Sequence, residues 1–154
     1  MRFAPLILAA ALAGTSSLTY GAGPQLPPTE AAAVFKAAGF KPKGQKWFAC
    51  AEGQVSEVRD INGDGLPEVI ITESGTECHG MTGEGYSLVS KQPNGAWKRM
   101  SAGTGIPLFL QSRGVGGWPD LQVGGPGFCF PVLRWNGRAY SLHRYEYEGK
   151  RCKP

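Results

Sequence analysis

Five positions between 60 and 68 have the residue types and spacing to hold a hard cation. In Asp60-Ile-Asn62-Gly-Asp64-Gly65-Leu66-Pro-Glu68, oxygen-bearing side chains recur at alternate positions, followed by a glycine and a further carboxylate. Alternate residues of a tight loop point inward and can share one ion, and calcium takes six to eight oxygens in a flexible shell. Gly65 permits the sharp turn. The expected ligands are the side chains of Asp60, Asn62, Asp64 and Glu68 and the backbone carbonyl of Leu66, with water completing the shell. The competing reading is an Asn-Gly/Asp-Gly turn whose acids face water.

The elements around this loop set its role. A full EF-hand needs a closing Glu at the twelfth position, which here is Ile71. A strand, Val69 to Thr72, follows where an EF-hand would begin a helix. The loop is therefore expected to staple a hairpin, with a calcium dissociation constant on the order of 10⁻⁴–10⁻³ M, as in extracellular modules.

The stretch DINGDGLPEVII resembles the FG-GAP/VCBS type of repeat found in integrin-like propellers. That resemblance implies a structural calcium loop leading into a strand, in a blade that presents its surface to partners. It covers about a dozen residues well and a second segment, GWPDLQVGG, only in part. Two units cannot close a propeller of four or more blades. The calcium role of the matching residues is carried over, and the complete fold is not.

The second segment belongs to an internal repeat. Gly65-Leu-Pro-Glu-Val aligns with Gly117-Trp-Pro-Asp-Leu at an offset of 52 residues, and Gly75 and Gly127 keep that offset. Each copy continues into an apolar strand, an Asn-Gly turn (Asn94-Gly95, Asn136-Gly137) and Ala-Trp97 or Ala-Tyr140. Chance similarity between Gly/Pro-rich segments is the alternative. In the second copy Asp60, Asn62 and Asp64 become Ser112, Gly114 and Gly116, and only Asp120 matches Glu68. One cation site is therefore expected, not two.

Short apolar or alternating runs bounded by Gly, Pro and Asn predict strands at 55–59, 68–72, 86–91, 97–100, 108–110, 121–123, 130–135 and 139–147. Trp47 to Cys50 reads as a further strand, and Lys41 to Lys46 as a basic loop. Thr29 can cap a short helix over Glu30 to Ala38, stopped by Gly39. With 23 Gly and 12 Pro in 154 residues, turn-formers interrupt the chain too often for a helical bundle. The expected fold is mainly β: a small antiparallel domain of two related hairpin or blade-like units, about 55–100 and 107–147, with one N-terminal helix.

Arg2, the apolar run Phe3 to Ala13 and the small residues after it have the layout of a secretory signal peptide. The expected organisation is a leader at 1–21, a Gly/Pro-rich linker at 22–28 and one domain at 29–154. The expected location is the periplasm or the exterior. Four cysteines remain after cleavage, and an even count in an exported small domain reads as two disulfides. Of three possible pairings, Cys50–Cys78 and Cys129–Cys152 close the shortest loops. Zinc would need closer Cys/His spacing than Cys78-His79 offers.

From Cys50 to Gly85 there are eight acids and one base, net −7; from Tyr86 onward ten bases and three acids, net +7. This suits a cation site in the first half and an anionic partner for the second, or a mixed surface once folded. Scattered bases and the absence of a recognised motif argue against nucleic acid. Trp118, Trp135 and Tyr140 are candidates for core or recognition. His143, Tyr145 and Tyr147 are expected to alternate onto one face of the last strand as a binding surface.

No catalytic residues are assigned. Only two histidines occur, His79 and His143, with no G-x-S-x-G elbow. A glycan hydrolase using Glu73 or Glu77 is the enzymatic alternative. The expected function is an exported, calcium-stabilised recognition module without catalysis, bound to a protein or an anionic glycan of the envelope, with no membrane span. The alternative is a periplasmic inhibitor or immunity protein against an exported cell-wall-degrading enzyme.

Overall fold

A computed structural model describes residues 26–154. The expected leader and residues 22–25 of the linker lie outside the described residues. Helix α1 (Pro28–Ala38) leads into a small hairpin, β1 (Lys41–Lys43) and β2 (Lys46–Phe48). Two antiparallel meanders follow. The first sheet runs β3 (Gly53–Arg59), β4 (Glu68–Ser74), β5 (Glu84–Lys91), β6 (Trp97–Thr104). The second runs β7 (Ile106–Arg113), β8 (Pro119–Gly124), β9 (Phe130–Trp135), β10 (Tyr140–Tyr147), β11 (Lys150–Arg151). Strand order equals chain order in both, as a hairpin repeat requires.

Helix α1 starts two residues earlier than expected, at Pro28 instead of Glu30. Pro27 holds the N-cap position without a side-chain cap, and Pro28 fills the first turn, where a missing N–H is harmless. Thr29 therefore lies inside the helix and does not cap it. At the other end Gly39 takes the left-handed conformation at φ 95°, and its N–H reaches the Lys36 carbonyl.

Lys41 to Lys46, expected as a loop, is largely the β1–β2 hairpin. Pairing Lys41 with Phe48 and Lys43 with Lys46 lays Trp47 flat on Phe35, with ring centroids 5.5 Å apart. That stacking is a long-range effect which local lysine content hides. The strand ends at Phe48, short of Cys50, where the chain bends into the Cys50–Cys78 disulfide. A four-residue helix, α2 (Thr76–His79), and a 3₁₀ turn, Gly80–Thr82, bridge β4 and β5. Both are too short to have a periodic signal.

Burial is two-sided in the first sheet. Val69, Ile71 and Val89 pack against Val34, Phe35 and Ala38 of α1 and against Phe40. Ile70 and Leu88 face the opposite way, into a second core with Ile61, Trp118 and Trp135, where Phe109 and Tyr140 of the second sheet close in. Strands buried on both faces read as continuous apolar runs, as Val69-Ile-Ile does. The layers are thus α1 with its hairpin, the first sheet, then the second sheet. Trp118 and Trp135 are core residues, each 6% exposed, with ring centroids 5.8 Å apart.

Both Asn-Gly turns join paired strands, but only the glycines take positive φ, 81° at Gly95 and 94° at Gly137. The asparagine side chains serve the turns differently. Asn94 Oδ1 accepts the Ala96 N–H, and Asn136 Oδ1 accepts those of Arg138 and Ala139. The Cys50–Cys78 and Cys129–Cys152 disulfides are both formed, one in each unit.

Candidate functional site

The 60–68 loop joins β3 to β4 and is tied by its own side chains. Asp60 accepts the Gly63 N–H at 2.6 Å and the Gly65 N–H at 2.9 Å. Asn62 Oδ1 accepts the Asp64 N–H, and Asp64 Oδ1 accepts the Leu66 N–H. These are nested Asx turns, which Asp and Asn form because a short side-chain oxygen reaches the backbone two residues on. Gly63 and Gly65 supply φ 84° and 83°. The donated backbone N–H groups of Gly65 and Gly63 hold the Asp60 carboxyl below its ordinary value.

Glu68 stands apart from the other four positions. It is 0% exposed and shares the face of Ile70. One carboxylate oxygen accepts the Ile61 N–H at 2.7 Å and the other the Ser90 hydroxyl at 2.8 Å. Burial pushes its pKa up, and those two hydrogen bonds offset only part of that. Among the described residues no group of three or more His, Cys, Asp or Glu side chains is gathered to hold a metal. The oxygen-only donor set still fits calcium chemically. Asp60, Asn62 and Asp64 are partly or fully exposed, and each of their oxygens, having two lone pairs, has one beyond the turn hydrogen bond.

The second unit repeats the clasp with different chemistry. Asp120, the counterpart of Glu68, is also 0% exposed. It accepts the Ser112 hydroxyl at 2.7 Å, Arg134 Nε and Nη2 at 2.8 Å each, and Arg144 Nη1 at 2.8 Å. Burial alone would raise its pKa, but the two guanidinium groups and Ser112 win and hold it well below the carboxylate range. In both units the buried acid thus reaches back across the connection before it, to Ile61 at the start of the loop in one and to Ser112 near the end of β7 in the other. The 52-residue offset exposed Asp120 in the sequence. The arginines that meet it, 14 and 24 residues further on, had no local signal.

The two loops also touch. Gly117 has φ 76°, and a Cβ there would stand 2.5 Å from the Asn62 carbonyl oxygen. Arg113 donates to the carbonyls of Ile61 and Gly117, joining the first loop to the second.

The other chemical candidates are placed as follows. His79 Nε2 is buried without a hydrogen-bond partner, 3.7 Å from Glu73 Oε1, while Nδ1 faces Thr104 Oγ1 at 3.2 Å. Glu73 Oε2 accepts the Ala51 N–H, and Glu77 is exposed on α2. His143 is exposed, Tyr145 half-buried and Tyr147 exposed. The register shifts between Leu142 and Arg144, so strict alternation does not run from His143 to Tyr145. Such a bulge inserts one residue and re-aims its neighbours. Tyr147 meets Phe128 and Phe130, with centroids at 6.3 and 6.1 Å.

Compared with family models, with curated proteins and with solved structures, the chain matches none. Among the described residues no helix is long and apolar enough to cross a membrane. Two formed disulfides fit an oxidising compartment.

Proposed function

We propose that this chain is an exported recognition module, in which the first unit is scaffold and the second presents the binding surface. One observation carries the reading. Ile106, Leu108, Val115, Phe128, Leu142 and Tyr147, all in the second unit, are six of the seven large apolar side chains exposed among the described residues. Two of these pairs are neighbours in space, Phe128 with Tyr147 and Val115 with Leu142, and exposed apolar side chains that adjoin one another are what a partner covers. The first sheet, by contrast, is covered by α1 on one side and by the second sheet on the other.

Calcium at Asp60, Asn62, Asp64 and the Leu66 carbonyl would tighten the loop between β3 and β4, and so the scaffold. Support comes from the donor chemistry and from the glycines that let the loop curl. A ligand that binds only the native state adds RT ln(1 + [L]/Kd), about 1.4 kcal/mol at ten times Kd. The expected rise in Tm is a few degrees, roughly 3–6 °C for a domain of this size. It is read by thermal unfolding of the oxidised domain with millimolar calcium against chelator. Asp64→Ala should erase the rise. A rise that survives in Asp64→Ala places the ion elsewhere.

Recognition is tested by incubating the domain with envelope glycans and measuring retention together with new reducing ends. Retention without turnover supports the reading. Turnover that disappears in Glu73→Gln or Glu77→Gln overturns it in favour of a hydrolase.

A further inference from the structure

Two shallow clefts lie side by side along β10, and His143 lines both. The first, about 470 Å³, is bounded by Arg113, Val115, Arg134, Trp135 and Leu142 as well as His143. The second, about 400 Å³, is bounded by Arg144, Tyr145, Arg151, Cys152 and Lys153. No carboxylate lines either cleft. Two acids of the same sheet are already engaged: Asp120 is enclosed by Arg134 and Arg144, and Glu146 accepts Arg144 Nε at 2.6 Å; Glu148 stands exposed in the turn between β10 and β11. The cleft between α1 and β2 differs, because its Lys46 is paired with Glu52 at 2.7 Å.

One disulfide and backbone hydrogen bonds hold this cationic track in place. Cys129–Cys152 ties the tail down, β11 pairs Arg151 with Glu146, and the Cys152 N–H reaches the Tyr145 carbonyl. Arg151 and Lys153 remain exposed on it. The bulge at His143 sits between the two clefts.

Resting on the recognition reading above, we propose that this track binds an acidic polysaccharide segment, with its carboxylates on Arg151, Lys153 and the His143 ridge and its sugar faces on Tyr145 and Leu142. The open, shallow shape suits an extended polymer, since small-molecule sites enclose most of their ligand. Ring and aliphatic faces beside cations match a sugar, whose C–H face is apolar and whose substituents are charged. Single-stranded nucleic acid binds by stacking its bases on successive aromatic side chains, and of the two aromatic residues that line these clefts Trp135 is buried in the core, which leaves Tyr145. Arg134 and Arg144 are balanced by Asp120 and Glu146 together, so Arg151 and Lys153 are the cations left to the ligand.

The test is titration of the oxidised domain with hexameric oligogalacturonate, followed by NMR and calorimetry at low and physiological salt. Comparison probes are a neutral hexasaccharide, polyglutamate of equal charge and a single-stranded oligonucleotide. Expected are shifts at His143 and Tyr145, weaker binding with added salt, and no binding of the neutral sugar. Binding should fall at least tenfold in Arg151→Gln/Lys153→Gln, two exposed positions whose loss spares the fold, and about threefold in His143→Ala. Equal binding of polyglutamate or the oligonucleotide overturns the proposal, as does an unchanged double variant. Shifts confined to Phe128 or Ile106 would also overturn it while leaving the recognition reading standing. Release of new reducing ends from the hexamer would instead sink the recognition reading.

Discussion

Glu68 and Asp120 occupy matching places in the two units and are buried alike, yet their surroundings drive them in opposite directions. Asp120 is held below its ordinary value of 3.8, so the unfolded chain takes up its proton first. Its contribution is fully present above that value and is lost as pH falls below it. Glu68 is raised above 4.5, so the folded chain takes up its proton first, and this group favours folding more as pH falls through its raised value towards 4.5. Urea unfolding between pH 3 and 7 separates them. Asp120→Asn should flatten the acid-side loss of stability. Glu68→Gln should remove a gain on mild acidification and cost little at pH 7, because a glutamine oxygen still accepts from Ile61 and Ser90 can reverse its hydroxyl. Asp120→Ala strands two guanidinium groups and should cost about 3 kcal/mol.

Between elements, the decisive contacts are those that local sequence does not encode. Helix α1 is fastened to the first sheet by Glu30, which accepts Lys91 Nζ and Trp97 Nε1 at 2.6 Å each, and by Phe35, packed among Phe40 and Trp47. Phe35→Ala should cost about 3–4 kcal/mol by chemical denaturation. The turn before β8 meets the 60–68 loop at Gly117, where any side chain would face both a positive φ and the Asn62 carbonyl. Gly117→Ala should therefore lose more than about 1 kcal/mol, whereas Ala at Gly127, with positive φ but open space around it, bears only the backbone cost. Equal losses at the two glycines would show that the loops do not press on each other.

Across the molecule, the two sheets share one core through Ile70, Leu88, Trp118 and Trp135. Neither sheet can lose that contact without exposing large apolar side chains, so unfolding should be a single transition. Far-UV circular dichroism and tryptophan fluorescence should give coincident midpoints in the oxidised domain. Separated midpoints would mean that the units are independent. Gln122 and Val132 pair in the second sheet as Ile70 and Leu88 pair in the first.

Several of these features could be read along the chain because their cause is local. Alternating and continuous apolar runs set the strands, Gly and Asn set the turns, cysteine spacing favoured the short loops that formed, and the 52-residue offset matched Glu68 with Asp120. The β1–β2 hairpin, the bulge at His143 and the start of α1 at Pro28 were not legible in that way. The first depends on Trp47 finding Phe35, and the second on how β10 meets β9. The third followed from two prolines that made a side-chain cap unnecessary. The burial of Glu68 and the meeting of Arg134 and Arg144 on Asp120 arise where residues far apart in sequence are brought together. Periodicity and spacing describe a segment's own geometry; which groups lose water together, and whose charge answers whose, is set by packing.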